Sequence, residues 1–210
     1  MGQTQNDEKR LSRSQRRRRE DIIQAALKVF DRDGFEAAKM SDIATEAEVA
    51  KGTLYLYFDT KVALLQGVIE GEIVPTLQQI GEAGQSQSGT AKERLASQIR
   101  ITTKRMSSPE MKTLLRYMIS TSPKRDDVAA YYYENVVLKG LNHFRATLDY
   151  GVETGEFREE VRHIDALTLL GAPVYTAVWN ILFQNKSRID PDKLTDDFLK
   201  IIMGGVSRDD

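Results

Sequence analysis

KMSDIATEAEVAKGTLYLYFDTK, which spans residues 39–61, predicts two short helices separated by a tight turn at residues 48–50. The first helix carries one apolar stripe at three- and four-residue spacing, made of Met40, Ile43, Ala44 and Ala47. Such a stripe packs one side of a helix against a core. Two short helices joined in this way are the outline of a helix-turn-helix module, whose second helix enters the major groove of DNA.

The second helix of this stretch has two different faces. At about 100° per residue, Leu54 and Phe58 point one way and anchor the helix. The opposite arc is small, hydroxylated and aromatic, and comprises Gly52, Thr53, Leu56 and Tyr57. These groups, with Tyr55 and the flanking charges of Lys51 and Lys61, suit phosphates and base edges. The alternative is that the tyrosines are partly buried residues of a small helical bundle.

As a set, these residues resemble the signature of the TetR family of bacterial transcription factors. The matching positions are 42–44, 47–49, 51–55, 57, 58 and 61, and a preceding helix over 22–30 that ends at residues 33–35 matches as well. The resemblance implies an all-α protein with an N-terminal three-helix helix-turn-helix domain and a larger C-terminal helical domain for ligand binding and dimerisation. It also implies the DNA-facing positions, which are Lys51, Gly52, Thr53, Tyr55, Leu56, Tyr57 and Lys61.

Three positions depart from the family pattern. Lys39 replaces a Thr or Ser that caps a helix and contacts phosphate, Glu48 replaces a turn Gly, and Ala50 replaces a Ser cap. A missing side-chain cap costs about 1 kcal/mol, and residues other than Gly are uncommon in a left-handed turn. We therefore expect a less stable turn and an altered operator preference, with Lys39 contacting phosphate as a point charge. We also expect Leu56 to pack on a thymine methyl group.

Seven basic residues lie between positions 9 and 19, although the whole chain has a net charge of −1. We expect residues 1–19 to form a basic arm whose early part is disordered in the free protein. Arg16, Arg17 and Arg18 of this arm are predicted to follow the DNA backbone or enter a minor groove. The alternative is a solubilising tail.

The rest of the chain also has helical periodicity, which places the DNA-binding domain at residues 20–65 and the ligand-binding and dimerisation domain at residues 66–210. Helices are predicted over 62–79, 91–106, 109–120, 123–150, 166–185 and 191–206, with a loop over 81–90 and a turn over 151–160. Pro75 is expected to bend or interrupt the first of these helices.

Residues 166–185 contain no charged side chain, and their length could span a bilayer. A proline, several amides and two threonines dilute this segment, so we interpret it as a helix buried on both sides, by the core and by a second copy of the chain. The family resemblance implies that this helix and residues 191–206 form a four-helix dimer interface. Two recognition helices about 34–36 Å apart would then read both halves of a palindromic operator.

The resemblance further implies a small-molecule effector that releases the dimer from DNA. Candidate effector contacts are residues that suit a flat, apolar ligand, namely Tyr117, Met118, Tyr132, His143, Phe144, Tyr175 and Trp179. Each is otherwise an ordinary core residue. Arg116 and Arg145 could pair with an anionic group of the ligand or be solvated. A repressor is the preferred interpretation, and activation is the alternative because the sign depends on operator position.

Composition limits the remaining function classes. The 210 residues are 40% apolar and include no cysteine, so disulfides, thiolate zinc sites and a cysteine nucleophile are excluded. Two histidines far apart in sequence predict no metal site, and no cofactor is expected. The first residues are polar and charged, which favours a cytoplasmic protein without a membrane partner. An enzyme lacks a recognisable motif here, and a helical scaffold without DNA contact would leave residues 51–61 unexplained.

Overall fold

The computed structural model describes residues 12–87, 89–121, 125–183, 185–187 and 189–206. The regular elements in these ranges are all helical, which confirms the predicted all-α fold. The chain divides into two compact units, residues 1–72 and 73–210.

The first unit contains three helices and the beginning of a fourth. They are α1 (Arg13–Asp33), α2 (Met40–Glu46), α3 (Lys51–Tyr57) and α4 (Lys61–Gly84). Helix α1 packs on α2, and α2 packs on α3. Their shared core is apolar and includes Ile22, Ala26, Val29, Phe30, Phe35, Ile43, Leu54 and Phe58. This arrangement gives the predicted three-helix helix-turn-helix unit.

Helix α1 begins earlier than expected, at Arg13, because Ser12 caps it. The Ser12 hydroxyl accepts a hydrogen bond from the Gln15 N–H at 3.3 Å, and the Gln15 side-chain oxygen accepts one from the Ser12 N–H at 2.8 Å. This reciprocal capping box satisfies two backbone donors at the helix start. Residues 13–19 of the predicted arm are therefore helical, and residues 1–11 lie outside the described ranges.

Helix α4 continues through Pro75, where an interruption was expected. Proline removes one backbone donor from a helix. Burial on both sides of the proline offsets this loss, and the buried residues are Leu64, Leu65, Val68, Ile69, Ile73, Leu77 and Ile80. The division between the units falls at residue 72 instead of the predicted 65, because the early turns of α4 bond to α1. Gln24 Nε2, for example, donates to Glu72 Oε1 at 2.7 Å.

The second unit contains the end of α4 and six further helices. They are α5 (Ala91–Met106), α6 (Pro109–Thr121), α7 (Asp126–Tyr132), α8 (Leu138–Glu153), α9 (Gly171–Phe183) and α10 (Pro191–Val206). Helix α5 is central, because it packs against α6, α8, α9 and α10. The predicted bounds of α5 and α10 are confirmed. Thr90 and Glu93 cap α5, and Glu156 Oε1 accepts from the first helical N–H, of Ala91, at 2.9 Å.

Two predicted helices are divided in the structure. The helix expected over 123–150 contains a π-helical turn at Tyr133–Val137 that joins α7 to α8. There the Asn135 side chain donates to the Tyr131 carbonyl at 3.0 Å, the acceptor that an α-helix would give to its own backbone. The helix expected over 166–185 starts as a 3-10 turn, Ala166–Leu170, whose cap Asp165 accepts from the Leu167 N–H at 2.9 Å.

Candidate nucleic-acid interface

Helix α3 has one buried and one exposed side, as predicted from the sequence. Leu54 is fully buried, and the buried Phe58 donates its N–H to the Leu54 carbonyl at 3.0 Å. The helix ends before Phe58 because the backbone there is extended, with φ of −143° and ψ of 105°. On the other side the Leu56 side chain is 85% exposed and Tyr55 is 42% exposed. Two contacts with the body of the unit thus hold a helix of seven residues, and the remaining side chains are free to meet a partner.

The other predicted DNA-facing residues of the turn and of α3 are accessible to different degrees. Lys39, Lys51 and Gly52 are exposed, whereas Thr53 and Tyr57 are half-buried. The Lys51 ammonium lies 5.9 Å from the centre of the Tyr55 ring, which places positive charge beside an aromatic hydroxyl. The outward surface of α3 therefore combines a cation, hydroxyl groups and one large aliphatic side chain. We call residues 51–53 and 55–57 the reading face.

The turn between α2 and α3 has the left-handed backbone expected from the family pattern. Glu48 has φ of 53°, the one positive φ among the described residues other than glycine. The Val49 N–H donates to the Ala44 carbonyl at 2.9 Å, and the Glu48 N–H to that of Thr45 at 3.1 Å, so the turn is well bonded despite this residue. Neither Lys39 nor Ala50 makes a side-chain cap. The expected departures from ideal capping are thus present.

Lys61 differs from its predicted role. Its ammonium donates to the carbonyl oxygens of Phe35, Glu36 and Ala38 at 2.6, 3.0 and 3.0 Å, and lies 4.5 Å from the centre of the Phe35 ring. An ammonium has three donors, and three carbonyls of the segment between α1 and α2 take them. Lys61 therefore joins the start of α4 to that segment, and the expected phosphate contact is corrected to a structural one.

The arginine run before the apolar part of α1 divides into two kinds of residue. Arg16, Arg17 and Arg18 are exposed, and their contact with DNA stays a prediction. Arg19 instead turns inward, where its Nη2 lies 3.0 Å from Glu70 Oε2 and the two side chains are 15% and 25% exposed. Sequence reasoning missed this difference, because it did not extend the helix through the arginine run.

The predicted effector contacts differ in burial and in surroundings. Tyr117, Met118 and Phe144 are buried, and Phe144 belongs to the main core of the second unit. The half-buried His143 lies against Gly81, where an added Cβ would be 2.8 Å from the imidazole Cε1. Burial raises the pKa of Tyr132 to about 12, against an opposing effect of the Arg105 charge, so its hydroxyl is neutral at physiological pH.

Tyr175 and Trp179 lie in a row of rings along α9. Their ring centres are 5.8 Å apart, and the Trp179 and Phe183 centres are 4.9 Å apart. The Trp179 indole N–H donates to the Ser187 carbonyl at 2.9 Å, and Tyr175 is 54% exposed. This row is at the surface of the described chain, which is a different position from the enclosed one expected of a ligand contact.

Other polar side chains have partners that sequence reasoning missed. Arg145 donates to the carbonyls of Arg162 and Ile164, so it caps a loop in place of the considered anionic group. Gln98 is fully buried, and its Nε2 donates to the Ile80 carbonyl at 3.0 Å and to the His143 carbonyl at 3.3 Å. A glutamine on a helix is usually exposed, so no sequence signal identified this clamp on the end of α4.

Two other kinds of functional element are a metal site and a membrane-spanning helix. The described residues contain no group of three or more His, Asp or Glu side chains that could hold a metal ion. One described segment, Ala166–Phe183, is long and apolar enough to cross a membrane by length and composition. In the structure α9, the main part of that segment, packs against α5, α6 and α10.

A short helix that is anchored on one side and exposed on the other, inside a three-helix unit, defines a helix-turn-helix DNA-binding protein. The family model described as bacterial regulatory proteins, tetR family, matches residues 22–68. The model described as tetracyclin repressor-like, C-terminal domain, matches residues 86–196. The chain belongs to the TetR family of transcriptional regulators, which confirms the resemblance and removes the scaffold alternative.

Individual relatives agree with this assignment. The uncharacterized HTH-type transcriptional regulator YvdT of Bacillus subtilis is 44% identical over 61 residues, which cover 29% of this chain and 31% of YvdT. The fatty acid metabolism regulator protein of B. subtilis is 27% identical over 188 residues, 88% of this chain and 93% of that protein. The crystal structure of FadR from B. subtilis in complex with stearoyl-CoA has a TM-score of 0.71 at 26% identity, covering 88% of this chain and 97% of that one.

Proposed function

We propose that this protein is a homodimeric, cytoplasmic repressor that binds a palindromic operator and leaves it when a small apolar molecule binds the second unit. The reading face carries this proposal, because Leu56 is 85% exposed and Lys51 is exposed as well on a helix whose other side is fixed. A single exposed leucine is ordinary on a protein surface, but the second helix of a helix-turn-helix module is the element that enters the major groove. The major groove offers such a side chain thymine methyl groups and offers the cation phosphates.

DNA contacts fall into two classes in this proposal. Leu56, Thr53 and Tyr55 reach base edges and determine which sequence is bound. Lys39 and Lys51, with Arg16, Arg17 and Arg18 on the first turns of α1, contact phosphates and supply affinity that does not depend on sequence. Gly52 lets the helix approach the groove closely, and the Tyr57 hydroxyl donates a hydrogen bond to the DNA. Lys61 is left out, since its ammonium is bonded to three carbonyls.

The dimer is supported by the exposed surface of the last two helices. Tyr175, Leu182 and Phe183 on α9 and Ile201 on α10 are all exposed, with 63% for Leu182 and 75% for Ile201. A contiguous apolar surface of this kind marks an interaction site in a soluble protein. We assign it to a second copy of the chain, because α9 contains no charge that a nucleic acid would need. The apolar character of Ala166–Phe183 then reflects association and not a membrane span.

A long-chain acyl thioester of coenzyme A is the first effector to test. The B. subtilis FadR structure contains stearoyl-CoA, and this chain is 26% identical to it over nearly its whole length. The described residues that remain candidates to contact an acyl chain are Tyr117, Met118, Tyr132, His143 and Phe144, whereas Tyr175 and Trp179 lie in the row assigned to the dimer. Of these, the buried Tyr117 and Met118 on α6 suit an apolar chain best. An effector needs a preference of a few kcal/mol for the released state.

Gel shift on the DNA that flanks its own gene tests the proposal. We expect a specific shift whose affinity falls steeply with salt, and a complex whose mass corresponds to an even number of subunits. Stearoyl-CoA should release the DNA, whereas free coenzyme A at the same concentration should not. A monomer in sedimentation, or equal affinity for scrambled DNA, would contradict the repressor assignment. Release by neither compound would contradict only the choice of effector.

A further inference from the structure

We propose that Gly67 and the Arg19–Glu70 ion pair position α3 on the operator by fixing the ring of Phe58, without contacting DNA themselves. This inference rests on the DNA-binding function and adds positioning residues on α1 and α4. Both helices contribute to the same compact unit as α3. Sequence analysis assigned Arg19 to a basic arm and gave Gly67 no role.

Gly67 allows an unusually close approach of the Phe58 ring to α4. A Cβ built at position 67 would lie 2.5 Å from Phe58 Cε1 and 3.0 Å from Cζ. Real Cβ atoms essentially never approach a ring carbon at 2.5 Å, so any larger residue at 67 must displace the ring. Phe58 is itself buried, and the interior around it has little room for displacement.

The ion pair holds the ring from another direction. The Arg19 guanidinium carbon lies 5.3 Å from the centre of the Phe58 ring, within the range of a cation–π contact. Its Nη2 atom is 3.0 Å from Glu70 Oε2, three residues beyond Gly67 on α4. Because both side chains are mostly shielded from solvent, salt screens this pair less than it screens an exposed one. Arg19 and α4 therefore restrict where Phe58 can lie.

The position of Phe58 determines the position of the reading face. Phe58 directly follows α3, and its N–H donates to the Leu54 carbonyl at 3.0 Å. Displacement of the Phe58 ring would therefore also displace the backbone of the last turn of α3. Helix α3 has seven residues and no side-chain cap at Ala50, which leaves Leu54 and Phe58 as its main anchors. Base contacts need hydrogen-bond geometry within a few tenths of an ångström. Displacing one anchor therefore lowers the affinity for the operator sequence more than the affinity that comes from phosphate contacts.

Gly67→Ala and Gly71→Ala form a matched pair that tests this proposal. Both add one methyl group to the same side of α4, four residues apart, and both raise helix propensity equally. At position 71 the nearest atom to the new Cβ is Ile23 Cδ1 at 3.5 Å, an ordinary contact. We expect Gly67→Ala to weaken operator binding by about tenfold with unchanged affinity for scrambled DNA, and Gly71→Ala to bind both within about twofold of the parent.

Non-additivity separates positioning from a general loss of structure. Phe58→Leu removes the ring atoms that the new methyl group meets, so Gly67→Ala should weaken operator binding less in a Phe58→Leu background than in the parent. Glu70→Gln should lower operator affinity while leaving the salt dependence unchanged, because no phosphate contact is lost. Urea unfolding of each variant shows whether it is folded. If Gly67→Ala does not fold, Glu70→Gln is the variant that tests the proposal.

Three results would overturn the proposal. The first is equal operator affinity of Gly67→Ala and Gly71→Ala. The second is an equal loss of operator and scrambled-DNA binding in Gly67→Ala or in Glu70→Gln. The third is an effect of Gly67→Ala on operator binding that is as large in a folded Phe58→Leu background as in the parent. Failure of the parent protein to prefer any operator is a different outcome, since it contradicts the proposed function and not the positioning of α3.

Discussion

The reading face of α3 and the outer side of α9 and α10 both expose large apolar side chains, but their neighbours differ. Leu56 shares a two-turn helix with Lys51 and two tyrosines, and Lys51 lies against the Tyr55 ring. Leu182, by contrast, lies in a segment with no charged residue over residues 166–185. The first surface is small and polar around a single aliphatic group, whereas the second is a continuous row of rings and aliphatic chains.

The difference indicates that exposed apolar side chains mark a candidate binding surface only together with their neighbours, and that the chemistry of those neighbours identifies the partner. A polyanion is bound more tightly when cations and hydrogen-bond donors surround an apolar contact. A second copy of the same chain is bound more tightly by an uncharged surface, since burying an unpaired charge is costly. Variants that change the charge or the apolar side chains of either surface therefore test the comparison directly.

The largest effect is expected from Leu182→Glu. A carboxylate in the middle of the proposed dimer surface would have to be desolvated, so the dimer should dissociate and operator affinity should fall by about 100-fold or more. The monomer should stay folded because Leu182 is exposed. Sedimentation velocity and gel shift measure both effects. Ala130→Glu, an exposed position on α7, is the control, and a dimeric Leu182→Glu variant with normal affinity would show that this surface has another partner.

Leu56→Ala should have the next largest effect. Loss of a thymine contact should weaken operator binding by about tenfold while affinity for scrambled DNA changes little. Fluorescence anisotropy with both DNAs measures the ratio. Ile119→Ala truncates another exposed aliphatic residue, on α6, and should leave both affinities unchanged. Equal weakening on both DNAs would assign Leu56 to general packing against the backbone.

Arg17→Ala should weaken binding to every DNA by a similar factor. An exposed arginine that contacts one phosphate releases about one counterion, so the slope of log affinity against log salt should fall by about 0.9. Titrations at several salt concentrations measure this slope. Arg162→Ala, an exposed arginine of the second unit, should not change the slope. An unchanged slope in Arg17→Ala would place the first turns of α1 away from DNA.

The smallest effect is expected from Glu48→Gly, which leaves both surfaces intact. Relief of the positive φ at residue 48 should raise the free energy of unfolding by roughly 0.5–1 kcal/mol, after the entropic cost of glycine. Urea unfolding measures the change. Glu82→Gly within α4 should lower the free energy of unfolding by about 1 kcal/mol, which calibrates the assay. A loss of stability in Glu48→Gly would mean that the glutamate makes a compensating contact.

Local sequence signals predicted those elements whose ends are determined by neighbouring residues. The bounds of α5 follow from Thr90 and Glu93, and α10 follows from Pro191 and a regular apolar spacing. The two faces of α3 were likewise readable from Leu54 and Phe58. The Ser12 capping box was also visible in the sequence, but the arginines after it favoured the interpretation of a disordered arm.

Contacts between residues far apart in sequence could not be predicted. The Lys61 ammonium bonds to carbonyls 23 to 26 residues away, and Arg19 meets Glu70 at a separation of 51 residues. A surface lysine and a buried one look the same in sequence, because the aliphatic stem serves both. The roles of Lys61, Arg19 and Gln98 thus depend on packing that only the assembled unit defines.

Trp179 gives this protein a built-in optical reporter. It is the single tryptophan of the chain, half-buried between Tyr175 and Phe183 on the outer side of α9. Its emission at long-wavelength excitation therefore comes from one place, and a red shift on dilution would register the separation of subunits without any attached dye.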